Sequence, residues 1–186
     1  MSKKYEFTGE TMDYDGITLH RIRAIRDFGN IASGTVGGWI EKGNNLFHGD
    51  SAWVGDNAKV YGYAMVCDHA EVYGNAEVYG RAMIREHAEV HGESKVYGRA
   101  EVHGESKVYG HAKVYGRAEV YEHAKVCKHA EVHGRAELHG ESKVYGHAKV
   151  YGRAEVYEHA KVCKHAEVHG EDKVYGHAKV YGRAEE

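Results

Sequence analysis

Residues 112–129 read Ala-Lys-Val-Tyr-Gly-Arg-Ala-Glu-Val-Tyr-Glu-His-Ala-Lys-Val-Cys-Lys-His. Three copies of one six-residue unit lie end to end, each with alanine two positions before valine. Residues two apart on an extended strand point the same way, so Ala and Val share one side and Lys, Glu, Tyr and Cys share the other. Read outward in both directions, every sixth residue from Val54 to Val180 is aliphatic, twenty-two times without a slip. Twenty are valine; the others are Ile84 and Leu138. A period of six is no multiple of 3.6, and Val-rich text punctuated by glycine reads as strands rather than helix. The bend falls on the two residues after the outward ring. The first of these is glycine in fifteen of twenty-two units, which suits a backbone that must reach positive φ. No unit can bury its Val/Ala side alone, so stability must come from stacking neighbours.

This pattern resembles the hexapeptide-repeat, left-handed parallel β-helix family, in which three units close one coil of eighteen residues. The resemblance runs from Ala52 to the end and implies the left hand against the usual right-handed crossover rule. It implies an all-β, single-stranded helix of about eight triangular coils, ~40 Å long at ~4.8 Å per coil. Glycine stands two positions after the aliphatic residue, where many family members have it one after.

The N-terminal text differs. Tyr5-Glu6-Phe7-Thr8, a turn at Asp15-Gly16 and Ile17–Arg23 predict a β-hairpin. Residues 1–39 read as a cap and 40–186 as the coil. The string from Leu19 to Lys42, with Arg21, Ile22, Arg23, Asp27, Phe28, Gly37, Gly38 and Trp39, resembles leaders of hexapeptide-repeat proteins from phages, prophages and gut bacteria. Those are labelled polymer-forming or transferase-like. Arg21, Arg23 and Arg26 read as exposed charges on a capping strand, with a docking face as the alternative.

Twenty-five basic and twenty-eight acidic residues leave a net charge of −3, which proposes neither a nucleic-acid nor a membrane partner. The start has no apolar run of the kind a signal peptide or spanning helix needs. Three cysteines, Cys67, Cys127 and Cys163, are an odd number and favour the cytoplasm.

Folding the text at eighteen turns it into columns. Lys107, Lys125, Lys143, Lys161 and Lys179 form one; Glu101, Glu119, Glu137 and Glu155 form another. Arg81, Arg99, Arg117, Arg135 and Arg153 precede the glutamates, close enough in sequence to suggest mutual neutralisation. A corner carries His111, His129, His147 and His165. A ring column runs Tyr61, Tyr79, Tyr97, Tyr115, His133, Tyr151, His169. Internal duplication alone makes matching columns, and ladder packing with solubility is the plain reading. The sharper one is association, since a Lys face and a Glu face on one rod are complementary between copies. The resemblance adds trimers with parallel axes as one option. Tail-to-tail pairing through the last unit, Gly182–Glu186, is another, with Glu185 and Glu186 as charged guards of the last strand edge. Asp172 occupies a slot otherwise held by Ala or Ser, where a buried carboxylate is costly and a corner open to water is not.

Sixteen histidines raise the question of metal. Cys67, His69 and His87 make the best cluster, but Zn²⁺ needs three or four ligands in a tetrahedral array and a column supplies two neighbours. No metal site is therefore expected, and these three stand as weak candidates. Relatives by fold include γ-type carbonic anhydrases and acyltransferases using coenzyme A or an acylated carrier protein. As far as the resemblance goes, the carbonic anhydrases build zinc sites between subunits, and the acyltransferase sites use a histidine and loops that leave the coil. Twenty-two units without an inserted loop leave no walls for a pocket, and no histidine stands in such a motif. The reading is a non-enzymatic, cytoplasmic scaffold or protein-binding rod without a cofactor, self-associating. Acyl transfer is the runner-up, and an anionic polymer or a host protein is the further alternative as partner. Nucleic acid is disfavoured, because the basic and aromatic residues face water on a near-neutral rod. Packed imidazoles further predict loss of stability in mild acid.

Overall fold

A coil that turns every six residues needs a residue with positive φ at each corner, and the chain supplies one. The computed structural model describes residues 3–182. The second residue after each aliphatic position has positive φ throughout the described coil up to Gly176, for example Gly92 at 74° and Gly116 at 76°. Seven of these corners are not glycine: Asp56, Asp68, Glu86, Glu122, Lys128, Glu158 and Lys164, at φ 50–62°. Left-handed backbone costs an L-residue ~1 kcal/mol or more, and four of the acids offset this with a hydrogen bond. Each carboxylate accepts from the corner N–H one coil on: Asp56 from Gly74 at 2.9 Å, Asp68 from Glu86 at 3.1 Å, Glu86 from Gly104 at 2.8 Å and Glu122 from Gly140 at 2.6 Å. These groups would otherwise be unpaired, and a charged acceptor makes the stronger bond.

Between corners run short strands that stack into three parallel sheets, residue i beside residue i+18. The first face holds Lys59–Val60, Glu77–Val78, Lys95–Val96, Lys113–Val114, Glu131–Val132, Lys149–Val150 and Glu167–Val168. The second runs from Met65–Val66 to Lys173–Val174 and the third from Trp53–Val54 to Lys179–Tyr181. The Ala and Val side chains turn inward and are buried along the coil as far as Val174. Where serine replaces alanine, two of the three hydroxyls find a carbonyl: Ser94 donates to His91 and Val108 and Ser106 to Val120, while the buried Ser142 hydroxyl has no partner among the described residues. The architecture is that of a hexapeptide-repeat left-handed parallel β-helix of about eight coils.

The expected hairpin is present and extends the first face. β1 (Tyr5–Tyr14) and β2 (Ile17–Ala24) pair antiparallel around Asp15 and Gly16, both with positive φ as the tight hairpin turn requires. β3 (Val36–Ile40) pairs antiparallel with β2 and parallel with Lys59–Val60. Gly37 and Gly38 permit this, because a Cβ on either would lie 2.5–2.9 Å from Trp53, Val54, Ile22, Gly55 or Ala58 atoms. Lys4 is fully buried here, its ammonium donating to the Asp50 carbonyl at 2.7 Å and lying 5.1 Å from the Phe28 ring centre. Desolvation pulls its pKa down to about 8.

Arg21 lies over Trp39 and Arg23 pairs with Glu6, so two of the three leader arginines are engaged within the chain. Asp172 is exposed, its carboxylate accepting from the His169 N–H at 3.4 Å. Glu185 and Glu186 lie outside the described residues.

Corner stacking can be tested at two glycines. Gly92 and Gly170 have similar φ, 74° and 67°, but a Cβ on Gly92 would sit 2.9 Å from the Gly110 nitrogen while Gly170 has open space. Both alanine variants lose stability, and Gly92→Ala loses at least ~1 kcal/mol more than Gly170→Ala in urea titration. Equal losses would mean that only the backbone angle matters at the corner.

Candidate interaction surface

Because stacking repeats at eighteen, every outward position faces its own kind above and below. The aromatic consequence is a ladder on each face. On the first, Tyr61, Tyr79, Tyr97, Tyr115, His133 and Tyr151 stack at 4.7–5.1 Å, most within a few degrees of parallel. Two more ladders, absent from the sequence reading, are His103–Tyr121–His139–Tyr157–Tyr175 at 4.9–5.4 Å and Tyr73–His91–Tyr109 at 4.7–5.2 Å. The third-face ladder continues through Cys127, Tyr145, Cys163 and Tyr181. Both cysteines are buried free thiols. The histidine corner also stacks: His111, His129, His147 and His165 at 4.8–5.1 Å.

The ladders carry little charge. Desolvation raises the phenols of Tyr79, Tyr97, Tyr115 and Tyr121 and lowers the imidazoles of His91, His103 and His133. Along the coil, formal charge is therefore confined to the position before each valine and to the corners, with Arg85 in the second-face ring column as the exception.

There the three faces differ. On the first, lysine and glutamate mix within one column and pair coil to coil: Lys95 with Glu77 at 3.2 Å, Lys113 with Glu131 at 3.1 Å, Lys149 with Glu167 at 3.7 Å. On the third, Lys107 pairs with Glu89 at 2.7 Å, but Lys125, Lys143 and Lys161 find no carboxylate among the described residues. Lys179 continues their column beside Lys161. The corner acids beside them lie instead against the imidazoles one coil on, Glu105 with His123 and Glu141 with His159, each at 3.3 Å. Open grooves run between this corner and the lysines, about 290 Å³ by Lys107, Lys125 and Lys143 and about 450 Å³ by Lys143, Lys161 and Lys179.

On the second face Glu101 pairs with Arg85 at 3.3 Å and Glu155 with Lys173 at 3.0 Å, while Glu119 and Glu137 have no cationic partner among the described residues. The expected neutralisation by the arginine column does not occur. Arg99, Arg117 and Arg135 make no ion pair among the described residues, and Arg153 pairs with Glu171 at 3.6 Å. Most of the recorded pairs join residues sixteen or eighteen apart, because stacking brings neighbouring coils closer than the bend brings a corner to the strand that follows it. The upper second face is apolar, with Met65 and Met83 in one column and Phe47 lining a groove with Met65.

His69 and His87 stack at 4.9 Å, Ser51 Oγ lies 2.7 Å from His69 Nδ1, and the Cys67 thiol points at Asp68 at 3.7 Å. Stacked rings aim their nitrogens sideways rather than at a common centre. No group of three or more His, Cys, Asp or Glu among the described residues is arranged to hold a metal ion. Burial raises the Cys67 thiol to about 11. From Trp53 to Tyr181 the strands follow at the six-residue spacing with no loop leaving the coil. No helix among the described residues is long and apolar enough to cross a membrane.

No family model matches the chain. Over 59 residues it is 34% identical to the protein of Escherichia coli K12 named uncharacterized acetyltransferase YdcK, covering 31% of this chain and 18% of that protein. The chain thus spans less than a fifth of the curated relative's length.

Desolvated imidazoles fix a pH dependence. His91, His103 and His133 resist protonation in the fold, whereas the unfolded chain takes these protons near pH 6.5. Their contribution is complete above that pH and is lost as pH falls through the depressed folded values. The melting temperature by circular dichroism should hold from pH 8 to 7 and drop between 6.5 and 5, and His91→Tyr with His133→Tyr should shrink the drop. A flat curve contradicts the packing described.

Proposed function

We propose that the protein is a non-catalytic, cytoplasmic β-solenoid scaffold that associates with copies of itself through charged lateral faces. One observation carries this reading: the first face balances its own charges, while the second and third hold columns of opposite sign whose middle members, Glu119 and Glu137 on one and Lys125, Lys143 and Lys161 on the other, have no ion-pair partner among the described residues. Lysines stacked one coil apart repel one another, and a rod bearing the opposite column at the same pitch relieves them. Surfaces of opposite sign steer encounter and fix register more than they add affinity.

The partial likeness to an acetyltransferase favours acyl transfer as a second reading. Against it stands the uninterrupted coil. A coenzyme-sized ligand needs a concave site that covers most of it, and the grooves beside the lysines are open and lined by charge.

Sedimentation velocity at ~20 mM and ~500 mM salt tests the scaffold, since exposed charges are screened within ~4 Å at the higher value and within ~20 Å at the lower. Assembly at low salt that dissolves at high salt is expected; a monomer at both salts removes the reading. Titration calorimetry with coenzyme A should give no heat, and saturable binding would favour the enzyme instead.

A further inference from the structure

We infer that neighbouring copies lie antiparallel, the second face of one against the third face of the next, and grow as an open ribbon. This rests on the self-association proposed above and names its register. Two features of the coil decide it.

The first is strand direction. When two copies of one coil face each other with axes parallel, the touching strands run in opposite directions, so the position before valine meets the position after it. Glutamates would then face the partner's rings and thiols. With axes antiparallel the touching strands run the same way, and like positions coincide: the glutamate column meets the lysine column without sideways displacement.

The second is the order of charges. Up the second face, the position before the aliphatic residue reads Glu101, Glu119, Glu137, Glu155, Lys173; down the third it reads Lys161, Lys143, Lys125, Lys107, Glu89. The two strings are complementary at all five places, including the single inversion at the end. Three of the five corners before these strands follow suit, while the other two set Arg99 beside His159 and Arg135 beside His123. In the same alignment Arg117 meets Glu141, Arg153 meets Glu105 and Glu171 meets His87. Sliding the antiparallel partner by one coil either way puts a like pair in contact, Lys173 on Lys107 or Glu155 on Glu89. In-register parallel rods match four places and set Lys173 against Lys179.

The contact joins unlike faces, so it cannot close on itself as a two-fold dimer. A contact between unlike faces of flipped copies repeats as a two-fold screw, which is an open assembly. Triangular rods joined this way alternate in orientation, and the self-balanced first face is left outside on both sides of the ribbon.

Charge reversal tests the register. Lys143→Glu and Lys125→Glu should each raise the concentration at which low-salt assembly begins by about tenfold. Adding Glu119→Lys to the first and Glu137→Lys to the second should restore it in both cases. A parallel register restores at most one of these doubles, whatever its stagger, so rescue of only one overturns the inference. Carbodiimide cross-linking of the unaltered protein, mixed from ¹⁵N-labelled and unlabelled chains, gives an independent reading. Links of Glu119 to Lys143 and Glu137 to Lys125 between chains support it; Glu119 to Lys125 and Glu137 to Lys143 overturn it. A chain that stays monomeric at low salt overturns the scaffold itself, whereas assembly with the wrong links overturns only the antiparallel register.

Discussion

Stacking of residue i on residue i+18 is the constraint from which the rest of the structure follows. It places every outward side chain about one strand spacing from its own column. For valine and alanine inside, this is favourable at once, because identical shapes fill identical spaces coil after coil. Outside it creates a difficulty, since like placed on like means charge on charge. The chain meets the difficulty in several ways. Rings stack with centroids near 5 Å and stay neutral. Corner carboxylates turn along the axis to accept the next coil's N–H. The first face mixes lysine with glutamate in one column. On the second and third faces Glu119, Glu137, Lys125, Lys143 and Lys161 find no ion-pair partner among the described residues, and that residue of unsolved electrostatics is the best functional signal on the rod.

The coil was readable from the text because its cause is local. Val and Ala two apart, with a bend every six, leave one way to bury the apolar side, and Asp15-Gly16 announces the hairpin turn just as locally. The charge columns were readable too, once the period of eighteen was assumed. Their pairing was not. Sequence proximity suggested that Arg117 would neutralise Glu119, two residues on, whereas most recorded ion pairs run along the axis between coils. A residue two positions away lies across a bend; one eighteen away lies in the next strand. The second and third ladders were missed for a related reason. Cys67 and Arg85 head one, and Cys127 and Cys163 interrupt the other, so neither column looked aromatic on the page.

Buried Lys4 had no signal at all. Two lysines at the start of a chain read as solvated, and only the fold shows one of them enclosed by Phe28 and the Asp50 carbonyl. Its lowered pKa means the cap holds a proton against desolvation at neutral pH. One hydrogen bond to a carbonyl and a ring face replace the water that the ammonium gives up, and such partners recover only part of the loss.

Net charge hides what governs association here. A total of −3 suggests a surface with nothing to offer a partner. Yet the rod has one face balanced within itself and two faces of opposite sign, so the sum is small because large local terms cancel at a distance. Contact is decided within a Debye length, ~8–10 Å, which is less than the width over which those faces are separated. At that range a partner meets one column at a time. The features that leave the described coil without walls around its grooves, short strands, evenly spaced corners and no departing loop, are the same ones that hold the columns straight and evenly spaced. A surface that regular is poorly shaped to enclose a small molecule and well shaped to match another surface of equal pitch, and a second copy of the chain has equal pitch by construction.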